Sequence, residues 1–407
     1  MGVIINIDEA LKLRAEYNIL REPLNEMLRQ EQEAWEKKNP IDLLFVRNSI
    51  STFQETYVSS VGFDHAFAET SDYAIGPTFN TANGFAATYR TRTFQGSFII
   101  TQQTLEDRQL GRAKDDANAF IRRWHGDTVE YAMAAISSGF GVEVSYGSSA
   151  NGGVSRLKLT SADTVDGDTE NTTKNPLFYN KHTLVKREGM TSMDIQLAYQ
   201  SNLFYADINL KGNDPARIAK LADVINQAIT FMENYKNDNG KRVVSGGAKT
   251  IVAPNDATLV AALNTAIDLP MLSEFGSKQG TNPAYKRATV ETTPYLLDIP
   301  QGANGIGFFI VDKAYNEANH GPEFTERIAL TLDVIDQKRP KGIIYDGRQR
   351  FDINVASWRG IAYVYLGTPS GSSDAWDNMV NFTQIIPSET TVKPVTVVGT
   401  VTTKAEG

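Results

Sequence analysis

The stretch from Thr104 to Ser138 constrains the fold most, because its pattern predicts a single very long helix. Apolar residues recur there at steps of three and four, the spacing of a helix that buries one stripe. Thr104 can cap the start, and Glu106 and Asp107 lie where the positive end of the helix dipole favours them. Such a helix spans roughly 50 Å at about 1.5 Å per residue. The stripe consists of Leu110, Ala113, Ala117, Phe120, Ile121, Trp124, Tyr131, Ala132, Ala135 and Ile136.

Glycines mark the end of this helix and two points inside it. Gly139 and Gly141 are placed to stop it. Gly111 and Gly126 each weaken its interior by about 1 kcal/mol relative to alanine. We therefore predict that the helix can bend at Gly111 or Gly126.

Residues 61–101, just before the helix, have the pattern of a long two-stranded hairpin. The outgoing leg alternates over 61–67 and the return leg runs over 87–94. Asn83-Gly84 between the legs is a strong turn signal, since both residues tolerate positive φ. Both faces of such an arm are largely polar, and two strands alone bury too little apolar area to become ordered. We expect the hairpin to lie on another surface.

Composition excludes several classes of protein. The chain has 407 residues, 41% of them hydrophobic, which is enough for a sizeable core. Its net charge of −8 argues against tight, sequence-independent binding of duplex DNA, which depends on Lys and Arg. The sequence contains no cysteine, which excludes disulfides and thiolate chemistry. No apolar run approaches the ~18 residues of a membrane span, and no signal-peptide pattern is present. A soluble intracellular protein is the default expectation.

The remaining segments differ in character. Residues 7–38 are charged and helix-favouring with Pro23 between two apolar edges, and fit equally well an exposed helix pair or an arm that docks on a neighbouring subunit. Residues 176–319 alternate helical and strand patterns, as in a compact α+β domain. Strand patterns return from Arg327, and the segment after Gly367 is rich in Ser, Thr and Pro.

No local motif for catalysis, a cofactor or a metal is present. The histidines lie far apart in sequence and form no ligand pair. The glycines at 302, 305 and 307 lack the dinucleotide-binding spacing. An acidic loop at 161–175 lacks the glycine and distal glutamate of a calcium-binding loop. We expect no catalytic residue, no cofactor, no metal and no enzymatic activity. The histidines are His65, His125, His182 and His320.

The order of these elements resembles the major capsid proteins of tailed bacteriophages, the fold named after phage Hong Kong ninety-seven. The resemblance covers roughly residues 40–366. It includes a closing pair of strands, with Arg350-Phe351 in the first and Arg359-Gly360 between them. It implies an α+β fold divided into an N-terminal arm (1–60), an E-loop hairpin (61–103), a P-domain with a long spine helix (104–175), an A-domain (176–319), return strands of the P-domain (320–366) and a C-terminal extension (367–407).

The resemblance implies a structural role in a virion. Copies are expected to form hexamers and pentamers of an icosahedral shell around double-stranded DNA, assembled in the host bacterial cytoplasm and matured from a procapsid by bending of the spine helix. The expected partners are a separate scaffolding protein, a portal protein and packaged DNA, which is bound without sequence specificity. A decoration protein is an optional further partner. No membrane is expected to be involved. The predicted inter-subunit contacts are Phe63, Phe67, Asn83, Gly84, Phe85, Tyr89, Arg90 and Arg92.

Two family variants can be judged from the residues. Some members cross-link an E-loop lysine to an asparagine of a neighbour, but no lysine occurs between Lys38 and Lys114. We therefore expect non-covalent contacts alone. Some relatives carry a scaffolding region of about a hundred residues before the arm. Only some 40 residues precede the first extended segment here, so a separate scaffolding protein is expected.

Three other interpretations fit parts of the sequence. An encapsulin-type nanocompartment shares the implied fold, although such proteins are usually shorter. An enzyme could use an α+β catalytic domain at 176–319, which would require a deep pocket with convergent polar groups. A minor head or decoration subunit is a third alternative.

Overall fold

Two β-sheets and one long helix organise the chain. The computed structural model describes residues 26, 29–35, 37, 39–63, 81–101, 103, 110–141, 143–148, 153–165, 174–179, 182, 200–208, 210, 215–236, 242–243, 247–273, 279–296, 306–338, 341–367 and 380–381. The strands in the first half are β1 (Val46–Ser49), β2 (Gln54–Phe63), β3 (Thr81–Arg90), β4 (Arg92–Thr101), β5 (Val144–Ser148), β6 (Gly153–Leu157), β7 (Thr160–Val165), β8 (Lys174–Pro176) and β9 (Leu203–Ala206).

Helices are concentrated in the second half, apart from the longest one. The later strands are β10 (Lys249–Pro254), β11 (Met271–Ser273), β12 (Gln279–Thr281), β13 (Ala288–Thr293), β14 (Ile306–Asp312), β15 (Pro322–Lys338), β16 (Lys341–Val355), β17 (Ile361–Leu366) and β18 (Val380–Asn381). The helices are α1 (Leu110–Ser138), α2 (Pro215–Glu233), α3 (Ala257–Asp268) and α4 (Lys313–Asn319), with 3₁₀ turns at Pro40–Leu43 and Pro294–Leu296. The mixture confirms the predicted α+β class.

Helix α1 confirms the long helix predicted from the apolar stripe. It runs for 29 residues and ends at Ser138, immediately before the glycines that were expected to stop it. Gly141 has a φ of 87°, a left-handed conformation that favours glycine. The predicted cap at Thr104 lies outside the described residues. Stripe residues that are buried include Ala117, Ile121, Tyr131, Ala132, Ala135 and Ile136.

The four-stranded sheet, ordered β1-β15-β16-β4, lies against one side of α1. Residues of β16 alternate between buried and partly exposed positions along the strand, so one face of the sheet is covered and the other is open. Trp124 of α1 seats on the covered face. A Cβ added to Gly96 would lie 3.1 Å from the Trp124 ring, and one added to Gly347 would lie 3.2 Å from it. The indole Nε1 of Trp124 donates to Gln349 Oε1 at 2.8 Å, which fixes the register of helix on sheet.

The six-stranded sheet, ordered β13-β10-β14-β17-β9-β18, is covered on both faces. All six residues of β17 are buried, as expected for a central strand. On one face Phe204 packs against Phe231 of α2, with ring centroids 5.4 Å apart. On the other face Tyr363 packs against Phe140, just beyond α1, at 4.9 Å. The core is therefore continuous from α1 into this sheet.

The predicted pairing of the two closing strands is wrong. Strand β16 pairs with β15 and β4, whereas β17 pairs with β14 and β9 in the other sheet. The segment assigned to return strands of the P-domain (320–366) thus ends inside the sheet of the segment assigned to the A-domain. The physical reason is hydrophobicity: a strand that is apolar on both faces needs cover on both, which only the six-stranded sheet provides.

Residues near the N-terminus pack on their own chain. Asn39 caps the 3₁₀ turn by accepting from Ile41 N at 2.9 Å, and Ile41 is fully buried. Trp35, at the end of a helical segment at 29–35, stacks on His125 of α1 with ring centroids 4.7 Å apart. Residues 35–50 of the predicted arm (1–60) therefore pack on the rest of the chain through Trp35, Ile41, Leu44, Phe45 and Ile50. Docking of the preceding residues on a neighbour stays a prediction.

Acid should destabilise this core through its buried histidines. His182 is fully buried and stacks on Trp358 at 4.0 Å. Burial lowers the pKa of His182 to about 3 and that of His125 to about 4. The unfolded chain binds these protons near pH 6.5 and the folded chain does not, so stability is full above that pH and falls as the pH drops.

We expect the His182 contribution to the free energy of unfolding to fall by about 3 kcal/mol between pH 7 and pH 4. Urea titrations across that range would measure it, with His182→Phe as the control that keeps the ring stacking. Asn202 Oδ1 still accepts from Tyr179 N in that variant. A pH dependence identical in the two chains would contradict the assignment.

Candidate assembly surface

Strands β2 and β3 form an antiparallel hairpin that pairs with no third strand in the described part of the chain. At its root, Thr91 N donates to Phe53 O at 3.3 Å, which closes the two legs. At its far end Phe63 lies opposite Thr81, so residues 64–80 connect the legs there. Ten-residue strands place that end about 30 Å from the root. A hairpin before the long helix is confirmed, but the bounds predicted for it (61–101) are wrong: its legs are β2 and β3, and residues 92–101 form β4 of the four-stranded sheet.

The turn predicted at Asn83-Gly84 is wrong. Both residues lie inside β3, where Asn83 is opposite Ser60. The register shifts on either side of this pair, which is the signature of a β-bulge. Glycine occurs at β-bulges within strands as well as at turns. Asn83-Gly84 therefore marks a bulge in β3 rather than the turn of the hairpin.

The root of the hairpin packs on its own chain. Ala87 and Tyr89 of β3 are buried against Ala356, with Tyr57 of β2 partly buried beside them. The Tyr57 ring lies on His320, with ring centroids 3.8 Å apart. Tyr89 is only 3% exposed and helps to anchor the root, and its predicted contact with another subunit stays a prediction.

A buried acid–histidine pair lies beneath this root. Glu323 is 2% exposed, and its Oε1 lies 2.8 Å from His320 Nδ1. Asn48 Nδ2 of β1 donates to the other carboxylate oxygen at 3.3 Å. Burial raises the pKa of Glu323, while His320 and Asn48 favour its charged form. The pair joins β1, β15 and the hairpin at one point.

The two hairpin arginines have partners within the chain. Arg90 Nε donates to Gln54 Oε1 at 2.9 Å, across the hairpin. Arg92 Nε donates to Asp352 Oδ2 at 3.1 Å, and Tyr131 OH donates to Asp352 Oδ1 at 2.8 Å. Burial raises the pKa of Asp352, and Arg92 opposes that rise. These bonds hold the start of β4 on α1, and contacts of Arg90 and Arg92 with another subunit stay a prediction.

The other predicted site residues are described only in part. Phe67 lies outside the described residues, and for Phe63, Asn83, Gly84 and Phe85 the structure gives the backbone alone. Nothing lies within 4 Å of a Cβ added to Gly111 or Gly126. Glycine is therefore not required at either helix position by packing. The prediction that the helix bends at Gly111 or Gly126 is not tested by this packing and stays a prediction.

Metal-ligating side chains do not cluster in the part of the chain that the structure describes. No group of three His, Asp or Glu side chains that could bind a metal occurs there. No helix in the same ranges is long and apolar enough to cross a membrane. A cavity of about 510 Å³ between α1, β4 and β5 has an aromatic lining, and at its rim Arg123 pairs with Asp127 at 2.7 Å. Its charged groups are paired with each other.

One surface was missed from the sequence. Phe53 is 51% exposed, and Arg350 Cζ lies 5.7 Å above its ring. Arg348 and Arg350 lie on the open face of β16, opposite Thr331 and Ile328 in the middle of β15. The signal was present, because two arginines spaced two apart in a strand must point to the same side.

The chain is similar to several solved structures. It matches the capsid of Myoviridae phage XM1 at 11% identity and a TM-score of 0.44, covering 81% of this chain and 91% of that one. It matches Mycobacterium phage Patience at 14% identity and 0.42, covering 88% and 89%. It matches a virus-like particle from Pyrococcus furiosus at 8% identity and 0.40, covering 85% and 98%. No protein-family model and no curated protein sequence matches the chain.

Proposed function

We propose that this chain is the major capsid protein of a tailed double-stranded DNA phage, which assembles as hexamers and pentamers into an icosahedral shell. The observation that carries the proposal is the β2–β3 hairpin, which is anchored at its root and pairs with no third strand in the described part of the chain. Unpaired strand edges expose N–H and C=O groups that favour a further strand or surface. A neighbouring copy supplies that surface in a shell.

The root and the far end of the hairpin have different roles in the proposed assembly. The root contacts of Tyr57 and Tyr89 fix the direction in which the hairpin leaves the body. The far end then reaches about 30 Å beyond the root, far enough to cross onto an adjacent subunit. The net charge of −8 suits a shell that encloses DNA without binding its phosphates tightly.

Negative-stain electron microscopy of the purified, expressed protein tests the proposal. We expect closed, uniform shells, or rings and shells once a scaffolding partner is co-expressed. Monomers under both conditions would contradict a capsid role. Shells that contain an enzyme and never package DNA would instead support the encapsulin-type alternative.

The assembled shell should be free of covalent links between subunits. No lysine lies between Lys38 and Lys114, so the hairpin has no amine for an isopeptide bond. Boiling purified shells in SDS should release one band at the monomer mass of 44.8 kDa. A ladder of multimers on the same gel would refute this.

A further inference from the structure

The cavity between α1, β4 and β5 has the size and lining of a site for a small molecule, and we call it the aromatic cavity. Its volume of about 510 Å³ lies within the range of small-molecule sites. Two of its rings are buried and three are partly exposed. The rings pack closely on one another, for example Phe94 on Phe351 with centroids 4.4 Å apart. The five rings are those of Phe94, Trp124, Tyr131, Tyr146 and Phe351.

The polar atoms of these rings are hydrogen-bonded within the chain. The Trp124 indole donates to a side chain of β16 at 2.8 Å. Tyr131 OH donates to Asp352 Oδ1 at 2.8 Å, and Tyr146 OH donates to the backbone oxygen of Asp127 at 2.9 Å. These bonds fix the rings in position and use their donor groups. The interior of the cavity therefore offers mainly ring carbon, and aromatic rings attract cations through their negative faces.

The rim of the aromatic cavity has an excess of negative charge. Asp127 and Glu130 are the carboxylates of the described lining, and Arg123 is its one cation. Arg123 lies 2.7 Å from Asp127 Oδ1 and 4.0 Å from Glu130 Oε2, so a single guanidinium faces both. Burial raises the pKa of Tyr146 to about 12, and both carboxylates add to that rise against a smaller opposing effect of Arg123. The field at the rim favours a cation.

Other classes of ligand leave part of the aromatic cavity unmatched. A neutral apolar molecule would leave the carboxylates without a counterpart, and an anion would be repelled by them. A primary ammonium needs hydrogen-bond acceptors for its N–H groups, which ring carbons do not provide. An ammonium with a methylated nitrogen carries positive charge and an apolar surface without N–H donors. Aromatic cages recognise such cations.

We propose that the aromatic cavity binds a small methylated ammonium compound of the choline class, with its nitrogen between the aromatic rings and the carboxylates of Asp127 and Glu130. Arg123 competes with the ligand for both carboxylates and so weakens binding. The proposal is independent of the proposed shell function, because the lining residues all belong to one copy.

Titration of choline into the purified full chain, measured by isothermal calorimetry, tests the proposal. The matched ligand is the neutral isostere of choline, in which a quaternary carbon replaces the nitrogen and the shape is kept. We expect choline to bind about tenfold more tightly than the isostere, because a desolvated cation gains roughly that factor from aromatic rings. Equal affinity of the two ligands overturns the proposal, as does the absence of choline binding at about 10 mM.

Variants at the rim identify the site. Asp127→Asn combined with Glu130→Gln should weaken choline binding about tenfold and leave binding of the isostere unchanged. Arg123→Gln should tighten choline binding about threefold, because it removes the competing cation. The side chains of Arg123, Asp127 and Glu130 are 71%, 42% and 48% exposed, so these changes should leave folding intact, which circular dichroism checks.

Asp115→Asn is the matched control, since Asp115 is exposed on the same helix and does not line the cavity. It should change neither affinity. Choline binding that is unaffected by the rim variant, or that weakens in Arg123→Gln, overturns the proposal.

Lipid headgroups carry the same trimethylammonium group, and co-sedimentation with phosphatidylcholine vesicles distinguishes this source from a free compound. We expect no co-sedimentation, because the aromatic cavity is sized for a small molecule without acyl chains. Vesicle binding without binding of free choline overturns the proposal in favour of a lipid surface. Neither outcome depends on whether the chain forms shells, so failure here leaves the proposed function untouched.

Discussion

Replacing Gly360 with alanine should lower the free energy of unfolding by more than about 3 kcal/mol, the top of the usual range for overpacking. The added Cβ would overlap Asn316 Oδ1 and approach Tyr315 Cδ1 to 2.8 Å. Asn316 is 1% exposed, and its Nδ2 donates to Gly360 O at 3.2 Å. A Cβ on Gly321 would also overlap Asn316, so the amide is confined from both sides. The clash cannot relax by moving a flexible side chain.

Urea unfolding monitored by fluorescence measures the loss. Gly126→Ala is the matched control, because nothing lies within 4 Å of its added Cβ. That change should be neutral or stabilise the chain by up to about 1 kcal/mol, since alanine favours a helix interior. Asn316→Ala in the Gly360→Ala background should recover part of the loss, because it removes the obstructing amide. Similar unfolding midpoints for Gly360→Ala and the unaltered chain would contradict the packing argument.

Removing the far end of the hairpin should abolish assembly without unfolding the chain. Phe63 lies opposite Thr81, so an Asn-Gly turn can replace residues 64–80. The anchoring residues Tyr57, Ala87 and Tyr89 are unchanged. We therefore expect a free energy of unfolding within about 0.5 kcal/mol of the original. The yield of closed shells should fall at least a hundredfold, because the segment that reaches the neighbour is gone.

A second deletion provides the comparison. Val165 of β7 lies opposite Lys174 of β8, so Asn-Gly can replace residues 166–173 in the same way. This removes a similarly acidic connection that has no aromatic residue. We expect shells in normal yield, measured by sedimentation and electron microscopy. A normal yield of shells after deletion of 64–80 would contradict the claim that the far end of the hairpin is needed for assembly.

The sequence by itself determined the elements whose signals are local. The long helix followed from its apolar period, since Ile121, Ala132 and Ile136 must share one side of any helix, and all are buried. The hairpin followed from alternation and a polar composition on both faces. The lack of a hairpin lysine is a chemical fact that no fold can change.

Only the tertiary structure decided how distant segments combine. Strand β17 pairs with β9, more than 150 residues earlier in the chain, and a fully apolar strand carries no local mark of its partner. Asn83-Gly84 permits a turn and a bulge equally, and the register with Ser60 selected the bulge. Arg327, Arg348 and Arg350 lie close together because β15 pairs with β16, with register shifts on either side of Ile328. These features depend on contacts between residues far apart in sequence, whereas propensity and period report only on near neighbours.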